Sequence, residues 1–446
     1  MHDLTEGPVW GHLIRLAVPL AAGMLFQTLY YLVDLYFVSQ LGDAVIAGVS
    51  AAGNVQFIVM ALTQILGVGT MALIAHAIGR KDRADANLIF NQSLVLAAVA
   101  AAATLVGGYA LASVYMKELG ANAATAAAGT EYLHWFLPGL ALQFAMVTMG
   151  SALRGTGIVK PAMVVQMLTV LINAVLAPIL IAGWLTGVPL GVAGAGLATS
   201  IAIAIGVALM WFYFVRLEKA VAFDAGMFRP RLEAWKRILR IGLPPGGEFA
   251  LMFVFMGVVY WIIRNFGPEA QAGYGLGSRV MQAIFLPAMA IAFATAPLAG
   301  QNFGAGKFER VKETFRASMI LGSIIMAGLT LLCQWQPEWF FHGFTNEAAV
   351  IGVGAQFLQY VSWNFVASGL IFTCSGMFQA LGNTLPALLS STSRLFIFAI
   401  PAVWMSGRPG FELRHLWILS VSTTAVQALV SYGLLRRELR HRLTIG

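Results

Sequence analysis

The chain has 446 residues, of which 27 are Lys or Arg and 19 are Asp or Glu, giving a formal charge of +8. Charged residues make up 10% and hydrophobic ones 59%, against about 25% and about 45–50% in soluble domains. A soluble globular fold is excluded. The composition implies an all-α polytopic membrane protein in which many of the 47 glycines let apolar helices pack closely.

The opening segment, MHDLTEGPVWGHLIRL, has neither the n-region nor the cleavage site of a signal peptide and runs into a full-length apolar stretch. Apolar windows predict helices near 13–38, 55–78, 88–114, 127–150, 161–183 and 190–215. A second set follows near 241–263, 280–303, 317–335, 352–375, 386–405 and 415–435, twelve spans in all. No polar stretch much exceeds about 25 residues, too short for a further domain. The two cysteines, Cys333 and Cys374, sit in apolar runs and form neither a disulfide framework nor a metal-spaced cluster.

Cations separate by side. With a cytoplasmic N-terminus, the inside segments carry Arg15, Arg80, Lys81, Arg83, Arg154, Lys160 and Arg216, then Lys219, Arg229, Arg231, Lys236, Arg237 and Arg240. Lys307, Arg310, Lys312, Arg316, Arg436, Arg437, Arg440 and Arg442 complete that set of 21. The outside segments carry only Lys117, Arg264, Arg408 and Arg414. The positive-inside rule therefore places both termini in the cytoplasm and accounts for the basic charge without nucleic acid.

The two sets of spans repeat in a register of 225 residues. It pairs Arg15 with Arg240, Pro19 with Pro244, Gly42 with Gly267, Gly48 with Gly273, Thr70 with Thr295 and Gly79 with Gly304. It also pairs Phe90 with Phe315, Ser93 with Ser318, Gly157 with Gly382 and Pro161 with Pro386. Glycine and proline positions carry backbone geometry, so their agreement outweighs that of leucines. Six spans per repeat is an even number, which predicts a parallel pseudo-twofold repeat with a central cleft. The organisation expected is a lobe over 1–215, a cytoplasmic linker over 216–240 and a second lobe over 241–446.

Asp34 is the only carboxylate deep in the first lobe, where insertion scales put its cost at about 2.5–3.5 kcal/mol. Such a group must be paired, protonated or ion-bound, which makes it the main candidate for coupling to a cation. Gln27 and Tyr30 share its helix face and read as a polar stripe toward a cavity. Gln56 and Gln282 are weaker polar candidates for a cavity. In the second lobe Glu248 and Arg394 lie at matched depth, either as a structural pair or with Glu248 in coupling or substrate contact. Pro19 is a bend point within the first helix.

The stretches AVPLAAGMLFQTLYYLVDLYFVSQLGDAVIAGVS, GSALRGTGIVKPAMVVQMLTVLINAVLAPILIAG, GVAGAGLATS and GMFQALGNTLPALLSSTSRLFIFAIP together resemble the multidrug and toxic compound extrusion (MATE) family. The resemblance covers nearly the whole chain in order. It implies two six-helix lobes and export of organic, often cationic, compounds against inward H⁺ or Na⁺. It further implies that Asn173 and Thr199 join Asp34 in a first-lobe cation site and that Pro19 is the hinge of a bending first helix. Two positions depart from the family pattern. Ala177 stands where some members have a second Asp, which favours H⁺ over Na⁺, and Met252 stands where many have a glutamate.

The expected partners are a small organic cation or drug and membrane lipid, with no cofactor, no metal, no nucleic acid and a monomeric chain. The runner-up keeps the fold and changes the cargo to a lipid-linked precursor, which needs a strongly cationic cavity for pyrophosphate. An intramembrane enzyme is disfavoured because no paired Asp-rich, His-Glu or Ser-His arrangement occurs within the spans. A channel is disfavoured because pseudo-twofold halves suit rocking about a central site.

Overall fold

The computed structural model describes residues 3–120, 122–218 and 220–443. Lys219, counted above among the inside cations, lies outside the described residues. These contain fourteen α-helices and no strand. The first half holds α1 (Val9–Val38), α2 (Asp43–Gly79), α3 (Arg83–Leu119), α4 (Ala123–Gly155), α5 (Lys160–Ala182) and α6 (Val192–Arg216). The second holds α7 (Leu232–Ile263), α8 (Pro268–Ile284), α9 (Leu286–Gly304), α10 (Phe308–Trp335), α11 (Ala348–Val361), α12 (Phe365–Leu381), α13 (Leu385–Ser406) and α14 (Leu413–Leu443).

With α11 and α12 taken together, eleven helices are long and apolar enough to cross a membrane. The pair α8 and α9, bent by 42°, brings the number to twelve as predicted. Shifted by 225 residues, the unbroken α2 falls on that bent pair. Its cause is local: Pro287, in the first turn of α9, stands where the first half has Leu62, and proline cannot continue the hydrogen-bond ladder. The repeat also extends to backbone handedness. Gly42 and Gly267 have φ of 109° and 99°, and Gly157 and Gly382 have 86° and 76°. Glycine alone takes this region at no steric cost, which is why these pairs stand out in the sequence.

The helices divide into two compact units, one over Ala22–Leu243 and the other over Leu4–Ala21 with Pro244–Gly446. In the first unit α4 packs against α2, α3 and α6, and α5 against α6. In the second, α12 packs against α9, α10 and α14, α8 against α11, and α13 against α14.

This division differs from the expected 1–215, 216–240 and 241–446, because the segment expected to be a linker is held by the side chains of α3. Asn87 accepts from the Ala222 N–H, and Asn91 accepts from the Asp224 N–H while donating to the Ala222 carbonyl. Gln92 donates to the carbonyls of Met227 and Arg229 and accepts from the Arg231 N–H and the Trp235 indole. These bonds satisfy loop backbone that would otherwise be orphaned on burial. Asp85 completes the clasp with a bidentate pair to Arg237 at 2.8 and 2.9 Å and a bond from Arg80 at 2.9 Å.

At the other end of the chain, residues 4–7 are held within the second unit. Asn302 donates to the Leu4 carbonyl, Lys307 to that of Thr5, and Arg310 to those of Leu4 and Gly7. Asp85 and Arg310 occupy the same position of the repeat, so one clasp is built on a carboxylate and the other on a guanidinium.

Asp85→Asn should lower stability by about 1–2 kcal/mol, the loss of a charge-assisted fork discounted for an Arg237 side chain that is 40% exposed. A fall of a few degrees in the melting midpoint in detergent checks this. An unchanged midpoint would mean the fork is not holding the clasp.

Candidate functional site

Asp34 lies near the end of α1, three turns beyond the residue at which α1 joins the first unit. It is half-buried as a residue, but its Oδ1 is shut off from solvent without a hydrogen-bond partner. Asn173, from α5, is fully buried beside it, and neither its amide nitrogen nor its oxygen has a partner. Tyr30, one turn before Asp34, interacts with both Asp34 and Thr199, and its hydroxyl is likewise buried and unpartnered. Thr199, from α6, is buried and donates to the Ala195 carbonyl of its own helix. Three helices thus converge on one carboxylate through side chains placed by helical spacing and by the tight packing of α5 on α6.

Asp34 and Asn173, and Tyr30 and Thr199, lie within interaction range of each other, so the four side chains form one buried polar cluster whose bonds are long or poorly aligned. The cluster holds a single formal charge. Its oxygens on Asp34, Asn173, Tyr30 and Thr199 suit a proton, a hard monovalent cation or a ligand N–H. Among the described residues no group of three or more His, Cys, Asp and Glu gathers, so a multidentate divalent site is not built here.

Around this core stands a rim. Gln56, from α2, donates to the Tyr31 hydroxyl, and Gln27 lies against Tyr31 one turn away on α1. Tyr30 and Tyr31 meet edge to face at 5.8 Å. Tyr132, from α4, is buried, feels the charge of Asp34 and stacks on Phe136 at 5.0 Å. The structure therefore sets Tyr30, Tyr31 and Asn173 beside Asp34, with Thr199 joined through Tyr30 and Gln27 and Gln56 through Tyr31.

Sequence reasoning passed over Tyr31 and Tyr132. Tyr31, four residues after Gln27 and three before Asp34, lies on the face that Gln27, Tyr30 and Asp34 share, so helical spacing could have found it, whereas nothing in the sequence signals which residue of α4 meets α1.

The remaining candidates fall in the second unit. Pro19 is buried in the part of α1 that belongs there. Gln282 is exposed on α8. Glu248 accepts from Ser391 at 3.2 Å, and Gln427 from α14 donates to the same hydroxyl at 3.3 Å. Arg394 lies over the Phe255 ring at 4.2 Å with its Nε buried and unpartnered. Glu248 and Arg394 do not form the ion pair considered from the sequence, because Ser391 occupies the place beside the carboxylate.

The MatE family model matches this chain twice, over residues 19–179 and 244–405, in the same 225-residue register as the repeat. The chain belongs to the MatE family. Multidrug export protein MepA of Staphylococcus haemolyticus (strain JCSC1435) is 26% identical over 447 residues, covering 99% of this chain and 96% of that one. Probable multidrug resistance protein YoeA of Bacillus subtilis (strain 168) is 24% identical over 433 residues, covering 95% and 93%.

Among solved structures, a MOP superfamily transporter from Pyrococcus furiosus Vc1 described with a binding pocket of reverse polarity superposes with a TM-score of 0.92. An outward-facing multidrug resistance MATE transporter superposes with 0.91. Each is 25% identical and covers 98% of both chains. MatE proteins are transporters, and with its run of apolar helices this MatE protein is an integral membrane protein.

Proposed function

We propose that the protein is a secondary antiporter that exports amphipathic organic cations in exchange for inward H⁺, with both termini cytoplasmic. The reading is carried by the convergence of buried polar side chains of Tyr30, Asn173 and Thr199 on the one carboxylate of Asp34. A carboxylate so placed has two ways to be satisfied, a proton or a cation, and the two exclude each other. Ionised Asp34 attracts the organic cation, with Tyr30, Tyr31 and Tyr132 supplying ring faces for a flat cationic system. Protonation removes the charge and releases the cargo. Export follows when release occurs on the outer side and the proton is given up on the inner side.

Ala177, fully buried four residues after Asn173, leaves the cluster one carboxylate instead of two. A single carboxylate takes a single proton, whereas Na⁺ prefers several oxygen ligands and the absence of a second carboxylate lowers both ligand count and site charge, so H⁺ is the favoured coupling ion. Pro19 is the hinge. It lies three residues before the point at which α1 passes from one compact unit to the other, and its repeat partner Pro244 is the first residue of α7 beyond the point at which that helix passes between units. The relatives named as multidrug export or resistance proteins support the cargo class.

The test is efflux of a fluorescent organic cation from proteoliposomes under an imposed pH gradient and, separately, an imposed Na⁺ gradient. The expected result is efflux with the pH gradient and none with Na⁺ alone. Efflux driven by neither gradient would sink the antiporter reading, and efflux driven by Na⁺ alone would reassign the ion.

A further inference from the structure

The second unit holds a guanidinium that the export of cations does not use. Arg394 is the tenth residue of the 22-residue α13, about 14 Å along a helix whose span crosses roughly 30 Å of hydrocarbon. That is too deep for a side chain to reach either surface easily, and an arginine there costs about 2.5–3.5 kcal/mol on insertion scales. Among the described residues no carboxylate lies within ion-pair distance of it. The Phe255 ring at 4.2 Å offsets part of that cost, but a ring face accepts no hydrogen bond from the in-plane N–H groups, and Nε is buried without an acceptor.

The surroundings match one class of ligand. Glu248 accepts from Ser391, one turn before Arg394 on α13, so the carboxylate is held near the guanidinium without forming an ion pair with it. Phe255 and Phe398 pack at 4.5 Å beside the guanidinium, and Tyr274 is close enough to interact with it. The side chains from Ser391 to Leu395, with Glu248 and Phe255, are half-buried and not sealed in the core.

We propose that Arg394 recognises the acidic group, a carboxylate or sulfonate, of an amphoteric aromatic solute whose cationic end faces Glu248. Arg394 is then a specificity-determining residue that admits zwitterions alongside simple cations. This rests on the export reading for the source of the ligand, while its test needs no transport.

Purified protein in an uncharged detergent is titrated with two xanthene dyes, one bearing a free carboxylate beside its cationic rings and the other the ethyl ester, with binding read by fluorescence anisotropy. Wild type is expected to hold the acid about tenfold more tightly than the ester, the worth of one charge-assisted contact. Arg394→Gln should bring the acid–ester ratio to about one, and Arg394→Lys should keep most of the preference.

The proposal is overturned if wild type holds the ester as tightly as the acid, if it holds neither dye, or if the preference survives Arg394→Gln. Displacement of the acid dye by added phosphatidylglycerol would overturn it in favour of a lipid headgroup. Because no gradient is applied, failed ion-driven efflux with an intact acid preference sinks only the antiporter reading, and the reverse pattern sinks only this one.

Discussion

Asp34→Asn should bring pH-driven efflux down to about 1% of wild type or less while the protein still folds and binds substrate. Asparagine has the size of aspartate and retains hydrogen-bonding capacity toward Asn173 and Tyr30, so the local packing of α1, α5 and α6 has no reason to change. What disappears is the only group in the cluster that exchanges a proton for a cation. A ligand with no difference in affinity between two states shifts nothing, however steep its gradient, and for the asparagine variant the proton becomes such a ligand.

The pH dependence carries a sign. In wild type the ionised carboxylate attracts the organic cation, so substrate affinity should rise as pH rises through the titration of Asp34. In the variant it should be weaker and flat with pH. Proton release on substrate binding, followed with an indicator dye in weakly buffered detergent solution, should fall from about one per protein to none. Export by the variant at the wild-type rate under either gradient would remove Asp34 from its assigned role.

Much of this arrangement was legible in the sequence, for reasons that differ by element. Asp34 stood out because a carboxylate within an apolar span is costly, and Gln27 and Tyr30 followed from helical spacing alone. The repeat was legible through glycines, and Gly42, Gly157, Gly267 and Gly382 prove to hold left-handed backbone. The break between α8 and α9 was not foreseen, although Pro287 marks it.

The contribution of Tyr132 was out of reach because periodicity tells which residues share a face of one helix but not which face meets another helix. The same limit applied to the boundaries of the two units. Composition marked 216–240 as polar and basic, and only the pairing of its backbone with Asn87, Asn91 and Gln92 ties it to α3. In the second unit, depth alone put Glu248 near Arg394, and the intervening hydroxyl of Ser391 could not be read from depth.

Gly242→Ala should be the most damaging small substitution in the first unit, lowering the melting midpoint by about 10 °C. A Cβ at Gly242, on α7, would overlap the carbonyl oxygen of Ile65 on α2 and lie 2.7 Å from its carbonyl carbon. One turn earlier the relation is reversed: a Cβ at Gly69 would overlap the carbonyl oxygen of Ile238 and stand 2.9 Å from its Cγ2. Residues 65–69 of α2 and 238–242 of α7 therefore cross backbone to backbone, each helix supplying the glycine that the other's carbonyl requires.

These obstacles are helix carbonyls, held in place by the helices to which they belong, and not the free ends of flexible side chains. Relief has to come from separating the helices, which at this crossing costs about 3 kcal/mol or more. For a unit of this size that amounts to about 6–12 °C. Gly257→Ala on the same α7 is the control, because a Cβ there meets nothing within 4 Å, and alanine favours the helix by about 1 kcal/mol. Opposite shifts in the two variants would establish that the crossing, and not a general need for glycine in α7, fixes the first turns of that helix on α2. Equal midpoints would show that the helices can part there at no cost.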